Sequence, residues 1–272
     1  MMSPRLSRVG ADHPRIKQFI NTKRNRPGTP TGALTLEGLW SLRCAVDAGV
    51  EIEAVFGCPA LFRGDATAQA LQDAHACGAR LYEVSERVLL RMVDRDGPDG
   101  LAAIAHLCRY RLDDLRVGPH TRVVVLDRME LAGNLGAVIR CADGAGASAV
   151  IVTERRTRVT HPLVVKASMG TVFSMPVIDA TVDDVAAWSR QRGVRVIAAH
   201  PAAAVSYRGS HYDGPVALVL GSERYGLSEA WRRAADLLVS IPMHGRADSL
   251  NVGHAAALLL YETLGSRDVR RE

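Results

Sequence analysis

The chain has 272 residues, of which 47% are apolar and 23% are charged, and its formal net charge is +5. This length suits one large domain or two smaller ones, and the apolar fraction is sufficient for a sizeable core. The moderate positive charge favours an anionic partner but does not fit a histone-like protein.

Arginine supplies almost all of the positive charge, since only three of the 34 basic residues are lysines. Arginine binds phosphate through two hydrogen bonds and stacks on bases, which favours RNA as the partner. The codons of a GC-rich genome favour arginine over lysine, and this explains most of the ratio. The ratio by itself therefore does not identify the partner.

The cysteines and the hydropathy pattern restrict the compartment. The five cysteines are widely spaced and include no C-x-x-C pair, which argues against a disulfide framework and a structural zinc site. No apolar run approaches membrane-spanning length, and the N-terminus has no hydrophobic signal region. We therefore expect a soluble, cytoplasmic protein that holds no metal and contacts no membrane.

The chain is expected to begin with a loose tail over residues 1–12, followed by a short helix over residues 13–21. Residues 22–30 form a basic segment interrupted by proline and glycine, with Lys23, Arg24 and Arg26 as candidate phosphate contacts. A solvated surface loop is an equally good interpretation of any one of these residues.

The pattern that follows predicts a small α/β domain of about a hundred residues. Ser85 is a candidate cap for one of its helices. The polar residues 109–120 are interpreted as a linker. The predicted strands cover residues 33–36, 52–56, 80–84 and 101–107, and the predicted helices cover residues 37–48, 67–77 and 86–93.

From Arg122 onwards, predicted strands and helices alternate in the rhythm of a parallel sheet. The predicted strands cover residues 123–126, 149–152, 172–178, 194–198, 216–220 and 237–241. Helices are predicted to begin near Asn134, Val182 and Asn251, and Asn251 suits a helix cap because its side chain can accept a first-turn amide hydrogen.

Three strand-to-helix turns of this half carry polar side chains that suit a binding site. They supply Asn134 and Arg140, then Glu223, then Ser249 and Asn251. Ligands of open α/β sheets bind beyond the carboxyl ends of the strands, so we expect these turns to form one pocket. The chain has neither G-x-G-x-x-G after its first strand nor a Walker motif, which argues against the ordinary dinucleotide and P-loop sites.

The same three segments resemble the signature motifs of the SpoU/TrmH group of SPOUT RNA methyltransferases. The first motif is Asn134 to Arg140, the second is Leu220-Gly221-Ser222-Glu223, and the third is Ile241-Pro242-Met243 with Ser249-Leu250-Asn251. They occur in the family's order over residues 121–265. Residues 13–107 resemble the substrate-binding domain of the family, a fold akin to RNA-binding ribosomal proteins.

The resemblance implies an α/β fold with a C-terminal SPOUT domain, built on a parallel sheet with a deep trefoil knot, and a smaller N-terminal α/β ribosomal-protein-like RNA-binding domain. It also implies a homodimer through the knotted domain. The expected organisation is a flexible tail at 1–12, a substrate-binding domain at 13–108, a linker at 109–120, a methyltransferase domain at 121–265 and a tail at 266–272.

The cofactor implied by the resemblance is S-adenosylmethionine, bound in the knot largely by backbone atoms. The residues expected to contact it are His200, Leu220, Gly221, Ile241, Met243, Ser249 and Leu250. Lys166 and Arg224 join the candidate RNA contacts.

The catalytic residues implied by the resemblance are Arg140, Asn134, Glu223, Ser249 and Asn251. Asn134, Ser249 and Asn251 would hold the ribose oxygen and orient Arg140, which in the family comes from one subunit while the cofactor comes from the other. Because arginine normally keeps its proton, we favour Arg140 as the group that holds a phosphate and stabilises the alkoxide. Proton removal by Arg140 stays open, and Glu223 either orients Asn134 or Arg140 or merely begins a helix.

The function implied is S-adenosylmethionine-dependent methylation of a ribose 2′-hydroxyl, with 23S rRNA as the leading substrate and protection from a ribosome-targeting antibiotic as a further expectation. The alternatives are a tRNA ribose methyltransferase and, in a different class, a catalytically inactive RNA-binding or ribosome assembly factor.

Overall fold

The structure is a computed structural model that describes residues 5–94 and 97–264. The described residues up to Cys108 form one compact unit together with Thr160–Val165, and the remaining described residues form a second. The tail expected at residues 266–272 lies outside the described residues.

The N-terminal unit contains a mixed five-stranded sheet in the order β1-β4-β3-β5-β2. Strand β5 is antiparallel to β2 and β3, whereas β4 is parallel to β1 and β3. Phe19, Phe56, Leu89 and Met92 are fully buried in its core. The elements are β1 Ser7–Arg8, α1 Pro14–Lys23, β2 Ala33–Glu37, α2 Leu39–Asp47, β3 Glu51–Gly57, α3 Asp65–Ala76, β4 Arg80–Glu83, α4 Glu86–Met92 and β5 Leu101–His106.

Part of the segment expected to be a loose tail belongs to this sheet. Ser7 and Arg8 pair with Tyr82 and Glu83 of β4, and the Val9 amide donates to the Glu83 carbonyl at 3.0 Å. These backbone bonds extend the sheet by an edge strand, so the prediction of a tail over residues 1–12 is wrong for residues 7–9.

The second unit contains a seven-stranded sheet in the order β10-β12-β9-β11-β6-β7-β8, and all of its pairs are parallel, as predicted. From Arg122 the elements in chain order, of which α6 belongs to the first unit as far as Val165, are β6 Arg122–Asp127, α5 Ala132–Gly144, β7 Ala149–Thr153, α6 Pro162–Ala167, β8 Val177–Ala180, α7 Val182–Arg192, β9 Arg195–Ala199, β10 Val205–Ser206, β11 Val216–Leu220, α8 Glu229–Ala234, β12 Leu237–Ser240 and α9 Val252–Leu264.

The central strands of this sheet are continuous apolar runs because both of their faces are buried. Every residue of β7 and of β11 is buried. Trp188 of α7 and Trp231 of α8 pack into the core on one side of the sheet. The carboxyl ends of these rigid strands therefore provide fixed starting points for the loops that follow them.

The segment predicted to be a linker, residues 109–120, is packed against the second unit. Leu115 is only 8% exposed and belongs to the core of that unit, with Tyr110, Leu112 and Val117 packed beside it. The apolar side chains at these positions hold the segment against the core. The segment is therefore a packed part of the second unit and not a free linker.

The strand predicted over residues 172–178 is wrong in its first half. Gly170 has a left-handed backbone (φ 80°), and Thr171–Phe173 form one turn of 3₁₀ helix. Strand β8 begins only at Val177, directly after Pro176, which lacks the amide hydrogen that a strand pair requires.

Helix α9 is fixed at both ends. Near its start, the Cys141 thiol of α5 contacts the Gly253 carbonyl at 3.6 Å, and farther along Tyr261 donates to the Gly144 carbonyl at 3.2 Å. Near its end, the guanidinium group of Arg122 donates to the carbonyl of Thr263 at 3.3 Å. No helix of the described residues is long and apolar enough to cross a membrane.

Candidate active site

A pocket of about 400 Å³ opens beyond the carboxyl ends of β9, β11 and β12. Loops that follow these three strands form its walls. All seven residues predicted to contact the cofactor lie on these walls: His200, Leu220, Gly221, Ile241, Met243, Ser249 and Leu250. Tyr225, Arg232 and Asp248, which the motifs did not single out, line it as well.

The second loop depends on a glycine for its shape. A Cβ atom on Gly221 would lie 2.2 Å from the carbonyl carbon of Gly226 and 2.3 Å from the Leu227 amide nitrogen. The loop folds back on itself through a bond of 2.8 Å from the Gly226 amide to the Ser222 carbonyl, and the Ser222 hydroxyl accepts from the Tyr225 amide. Only a residue without a side chain permits this close approach.

Three predicted catalytic residues form one hydrogen-bonded set, here called the amide network. The Asn134 side chain donates to the carboxylate of Glu223, and Asn251 Nδ2 donates to Asn134 Oδ1 at 3.1 Å. Asn251 Oδ1 accepts the amide of Gly253 at 2.9 Å, which confirms the predicted cap of α9. The start of α5, the loop after β11 and the start of α9 therefore meet at one point.

The amide network retains donors for a ligand. An amide side chain has two N–H donors, and the contacts within the described residues use one on Asn134 and one on Asn251. Glu223 lies on the wall of the pocket, so the network borders the space in which a ligand would bind. Ser249 also lines the pocket, and its hydroxyl donates to Asp248 at 3.3 Å.

Arg140 lies apart from the amide network. It follows Asn134 by six residues, about 9 Å along α5, and its side chain is exposed. No hydrogen bond or ion pair joins it to another residue in the described part of the chain. Burial raises the pKa of the neighbouring Cys141 thiol, and the charge of Arg140 opposes this rise only in part. Cys141 is therefore not an activated nucleophile.

A buried carboxylate supports the site from below. Asp127 ends β6 and is fully buried; it accepts the Ser228 amide at 2.8 Å and the Thr153 hydroxyl at 3.3 Å. The Thr153 oxygen in turn accepts the indole N–H of Trp231 at 3.1 Å. These bonds fix the end of the loop that carries Glu223. A charged residue directly after the run Val123–Leu126 is the sequence signal that indicates this role.

The candidate RNA contacts divide into two groups. The ammonium group of Lys23 lies 2.9 Å from Glu37 and 2.8 Å from Asp94 and also donates to the Met92 carbonyl, so its charge is already used within the N-terminal unit and its contact with a phosphate stays a prediction. It holds the N-terminal unit together. The other four are exposed and remain candidates: Arg24, Arg26, Lys166 and Arg224.

The pocket walls suit the expected cofactor in size and charge. The volume is within the range of small-molecule sites. Leu220, Ile241 and Met243 offer apolar contact for an adenine ring, while the carboxylates of Glu223 and Asp248 suit a ligand that carries positive charge. The one arginine of the described wall, Arg232, is paired with Glu229. No cluster of His, Cys, Asp and Glu suited to a metal occurs within residues 5–94 and 97–264.

A parallel sheet with a pocket at the carboxyl ends of its strands defines an α/β ligand-binding domain. Sequence profiles make the class specific: the SpoU rRNA Methylase family matches residues 121–261, and the MRM3-like substrate binding domain matches residues 13–103. The chain belongs to the SpoU rRNA Methylase family.

Individual relatives agree with this assignment. The chain is 35% identical over 206 residues to the 23S rRNA (guanosine-2'-O-)-methyltransferase RlmB of Ralstonia nicotianae, covering 73% of this chain and 82% of that protein. The structure of an AdoMet-bound rRNA methyltransferase from Sinorhizobium meliloti is 33% identical, with a TM-score of 0.85 and coverage of 95% and 97%. The SpoU methyltransferase AviRb of Streptomyces viridochromogenes with AdoMet is 26% identical, with a TM-score of 0.85 and coverage of 95% and 100%.

Proposed function

We propose that this protein transfers a methyl group from S-adenosylmethionine to a ribose 2′-hydroxyl of RNA. The observation that carries the proposal is the amide network beside a pocket of about 400 Å³, in a chain of the SpoU rRNA Methylase family. S-adenosylmethionine is the cofactor, in line with the AdoMet-bound relatives. The N-terminal unit, whose profile is that of a substrate binding domain, binds the RNA.

The amide network positions the ribose oxygen. When bound, S-adenosylmethionine supplies a methyl group activated by a positively charged sulfur. The remaining N–H donors of Asn134 and Asn251 hold the 2′-oxygen and stabilise the negative charge that develops on it. Glu223 keeps the Asn134 amide in this orientation by accepting its other N–H. Ser249, on the wall of the pocket, joins this donor set when its hydroxyl turns from Asp248 to the bound oxygen.

Arg140 holds the phosphate next to the reacting ribose and stabilises the alkoxide, while the proton of the 2′-hydroxyl passes to solvent water because Arg140 keeps its own proton. Its exposure and its lack of a carboxylate partner among the described residues support this role, because its charge stays available for an anion. Its distance from the amide network along α5 supports a site shared between two subunits, with Arg140 of one chain acting beside the pocket of the other.

The protein is proposed to be a homodimer through its second unit. Leu258 and Tyr261 are three residues apart on α9, and they are 40% and 56% exposed. An apolar stripe of this kind on a helix that borders the site supports a partner surface. We further propose that α9 threads a loop to form a trefoil knot, and that the protein acts in the cytoplasm, where its five unpaired cysteines stay reduced.

The favoured substrate is 23S rRNA, because RlmB of Ralstonia nicotianae is a 23S rRNA methyltransferase. The chain aligns with 82% of the length of that protein. Protection of a producer's ribosome from an antibiotic is proposed as the biological role because the resemblance of the three motifs implies it. The 32% identity over 178 residues to the 23S rRNA (uridine(2479)-2'-O)-methyltransferase of Streptomyces viridochromogenes supports the 23S rRNA substrate on which this role depends. A tRNA substrate is the second candidate, since other relatives are described as tRNA/rRNA methyltransferases.

The proposal is tested by transfer of tritiated methyl groups to unmodified total RNA, followed by mapping of the 2′-O-methylated nucleotides. Incorporation into 23S rRNA supports the favoured substrate, and incorporation into tRNA supports the second. Calorimetry with S-adenosylmethionine separates both from an inactive RNA-binding factor, which would bind no cofactor and transfer no methyl group.

A further inference from the structure

Tyr225 is an exposed aromatic residue at the edge of the pocket, with two arginines beside it. Its side chain is 56% exposed and lines the pocket. The guanidinium carbon of Arg224 lies 5.2 Å from the centre of its ring, and that of Arg128 lies 6.0 Å from the same centre. Aromatic rings next to guanidinium groups are the surface on which proteins stack single-stranded bases and bind the adjoining phosphates.

The side chains of the two arginines differ in how strongly the protein holds them in place. Arg128 is fixed: its amide donates to the Thr153 carbonyl at 2.9 Å, its guanidinium group donates to the Gly226 carbonyl at 3.4 Å, and it lies 3.6 Å from the buried carboxylate of Asp127. Its backbone has φ 54°, a left-handed conformation held by these contacts. Arg224 has no hydrogen bond or ion pair to another residue of the described ranges, so it can leave the ring.

We propose that Tyr225 stacks on a base of the RNA next to the nucleotide that is methylated. Arg224 leaves the ring when the base arrives and binds the backbone phosphate, while Arg128 remains in place and adds positive charge to the surface. This inference rests on the proposed function, to which it adds a base-binding subsite. Two nearby guanidinium groups make the ring a poor neighbour for a third cation, which argues against Tyr225 as the contact of the cofactor's charged sulfur.

Four variants test the subsite in the full-length protein. Tyr225→Leu removes the π-face and keeps apolar bulk, whereas Tyr225→Phe keeps the face. Arg224→Gln removes the mobile charge. Arg192→Gln is the matched charge control, because Arg192 is exposed and lies just before β9, at the amino edge of the sheet. The measurements are affinity for unmodified total RNA by filter binding at several salt concentrations, affinity for S-adenosylmethionine by calorimetry, and methyl transfer.

Stacking predicts that Tyr225→Leu lowers RNA affinity by about 5- to 150-fold, while Tyr225→Phe stays near the wild type. Arg224→Gln should reduce the slope of log affinity against log salt by about 0.7, the value for one phosphate of a single strand. Arg192→Gln should leave RNA affinity near that of the wild type, and all four variants should bind S-adenosylmethionine normally.

Two results would overturn the inference: wild-type RNA affinity in Tyr225→Leu, or a loss of S-adenosylmethionine affinity in that variant without a loss of RNA affinity. The second result would make the ring part of the cofactor wall. Failure of the wild-type protein to transfer methyl groups would instead reject the proposed function, and the RNA affinities would still decide whether Tyr225 stacks on bases.

Discussion

Asn251 Nδ2 donates a hydrogen bond of 3.1 Å to Asn134 Oδ1, which joins the first turn of α5 to the first residue before α9 across 117 positions of the chain. Each of the two amides is held by a second contact, Asn134 by Glu223 and Asn251 by the Gly253 amide. Amides fixed on both sides can orient a reacting oxygen without having to reorganise during the reaction.

Removal of the central amide should therefore impair the reaction and leave cofactor binding intact. We expect Asn134→Ala to lower the rate of methyl transfer on the order of 10²- to 10³-fold, the usual loss for one donor to a developing oxyanion. Single-turnover transfer at saturating RNA and cofactor measures it. The control is Gln191→Ala, an exposed amide on α7. A rate equal to that of the wild type would show that the amide network has no part in the reaction.

Arg140→Ala should abolish transfer while the fold and S-adenosylmethionine affinity persist. If the site is shared between subunits, mixed dimers of Arg140→Ala and Gly221→Ala chains carry one intact site. The purified mixed dimer should then have about half of the wild-type activity, and the randomly paired mixture about a quarter. Co-expression of the two chains with different tags provides the sample, and each homodimer is the control. Absence of restored activity in the purified mixed dimer would place Arg140 and the pocket in the same chain.

Gly221→Ala should distort the second loop of the pocket. Its Cβ atom would lie 2.2 Å from the Gly226 backbone, so the loop must open, at a cost of about 1–3 kcal/mol. We expect a large loss of S-adenosylmethionine affinity in calorimetry and a lower melting temperature. Gly118→Ala is the matched control, since a Cβ atom there meets nothing within 4 Å. Equal affinities for the two variants would contradict this account.

Lys23 and Arg24 are adjacent cations with different expected effects. Lys23→Gln breaks the ion pairs with Glu37 and Asp94, so we expect a loss of about 1–2 kcal/mol in the free energy of unfolding. Arg24→Gln should leave stability nearly unchanged and weaken RNA binding, with a lower salt slope. Urea unfolding and filter binding of RNA measure the two effects. Reversed results would favour Lys23 over Arg24 as the phosphate contact.

The stability of the N-terminal unit should depend on Glu53. Burial alone would raise the pKa of its carboxyl group, but the hydrogen bonds from His106 and Gln18 and the charge of Arg15 lower that pKa below its ordinary value of 4.5. A carboxyl group with a lower pKa in the folded state stabilises the fold above pH 4.5, and this contribution is lost as pH falls through the folded-state pKa.

We accordingly expect Glu53→Gln to lower the free energy of unfolding by about 1–3 kcal/mol at pH 7. The difference from the wild type should shrink below pH 4.5. Glu51→Gln, an exposed position on the same strand, is the control. A difference that is independent of pH would show that the charge of Glu53 does not contribute.

The elements that position the site were predictable because local pattern and tertiary structure agree there. The strands β6, β7 and β11 are apolar runs between polar turns, and buried parallel strands have that pattern. The short helix α8 is absent from the predicted elements, although Ser228 is its cap and accepts the Trp231 amide at 3.4 Å. A serine followed by Glu229 is the signal that could have revealed it.

Features that depend on distant partners could not be predicted in this way. Lys23 resembles any cation at the start of a basic loop, because Glu37 and Asp94 are 14 and 71 positions away and only the fold brings them together. The same holds for the amide network, whose three members come from three separate turns. The motifs predicted a common pocket, but not which side chains bond to which.

Asn251 uses its side-chain oxygen to cap α9 and its side-chain N–H to bond Asn134, so hydrolysis of this amide would affect the two roles differently. Deamidation to aspartate would keep an oxygen for the Gly253 amide, so α9 would remain capped. It would also remove the N–H that reaches Asn134 and bring a second negative charge near Glu223. The hydrolysis of one side-chain amide would thus yield a protein that keeps its fold and loses the methyl-transfer activity that depends on the amide network.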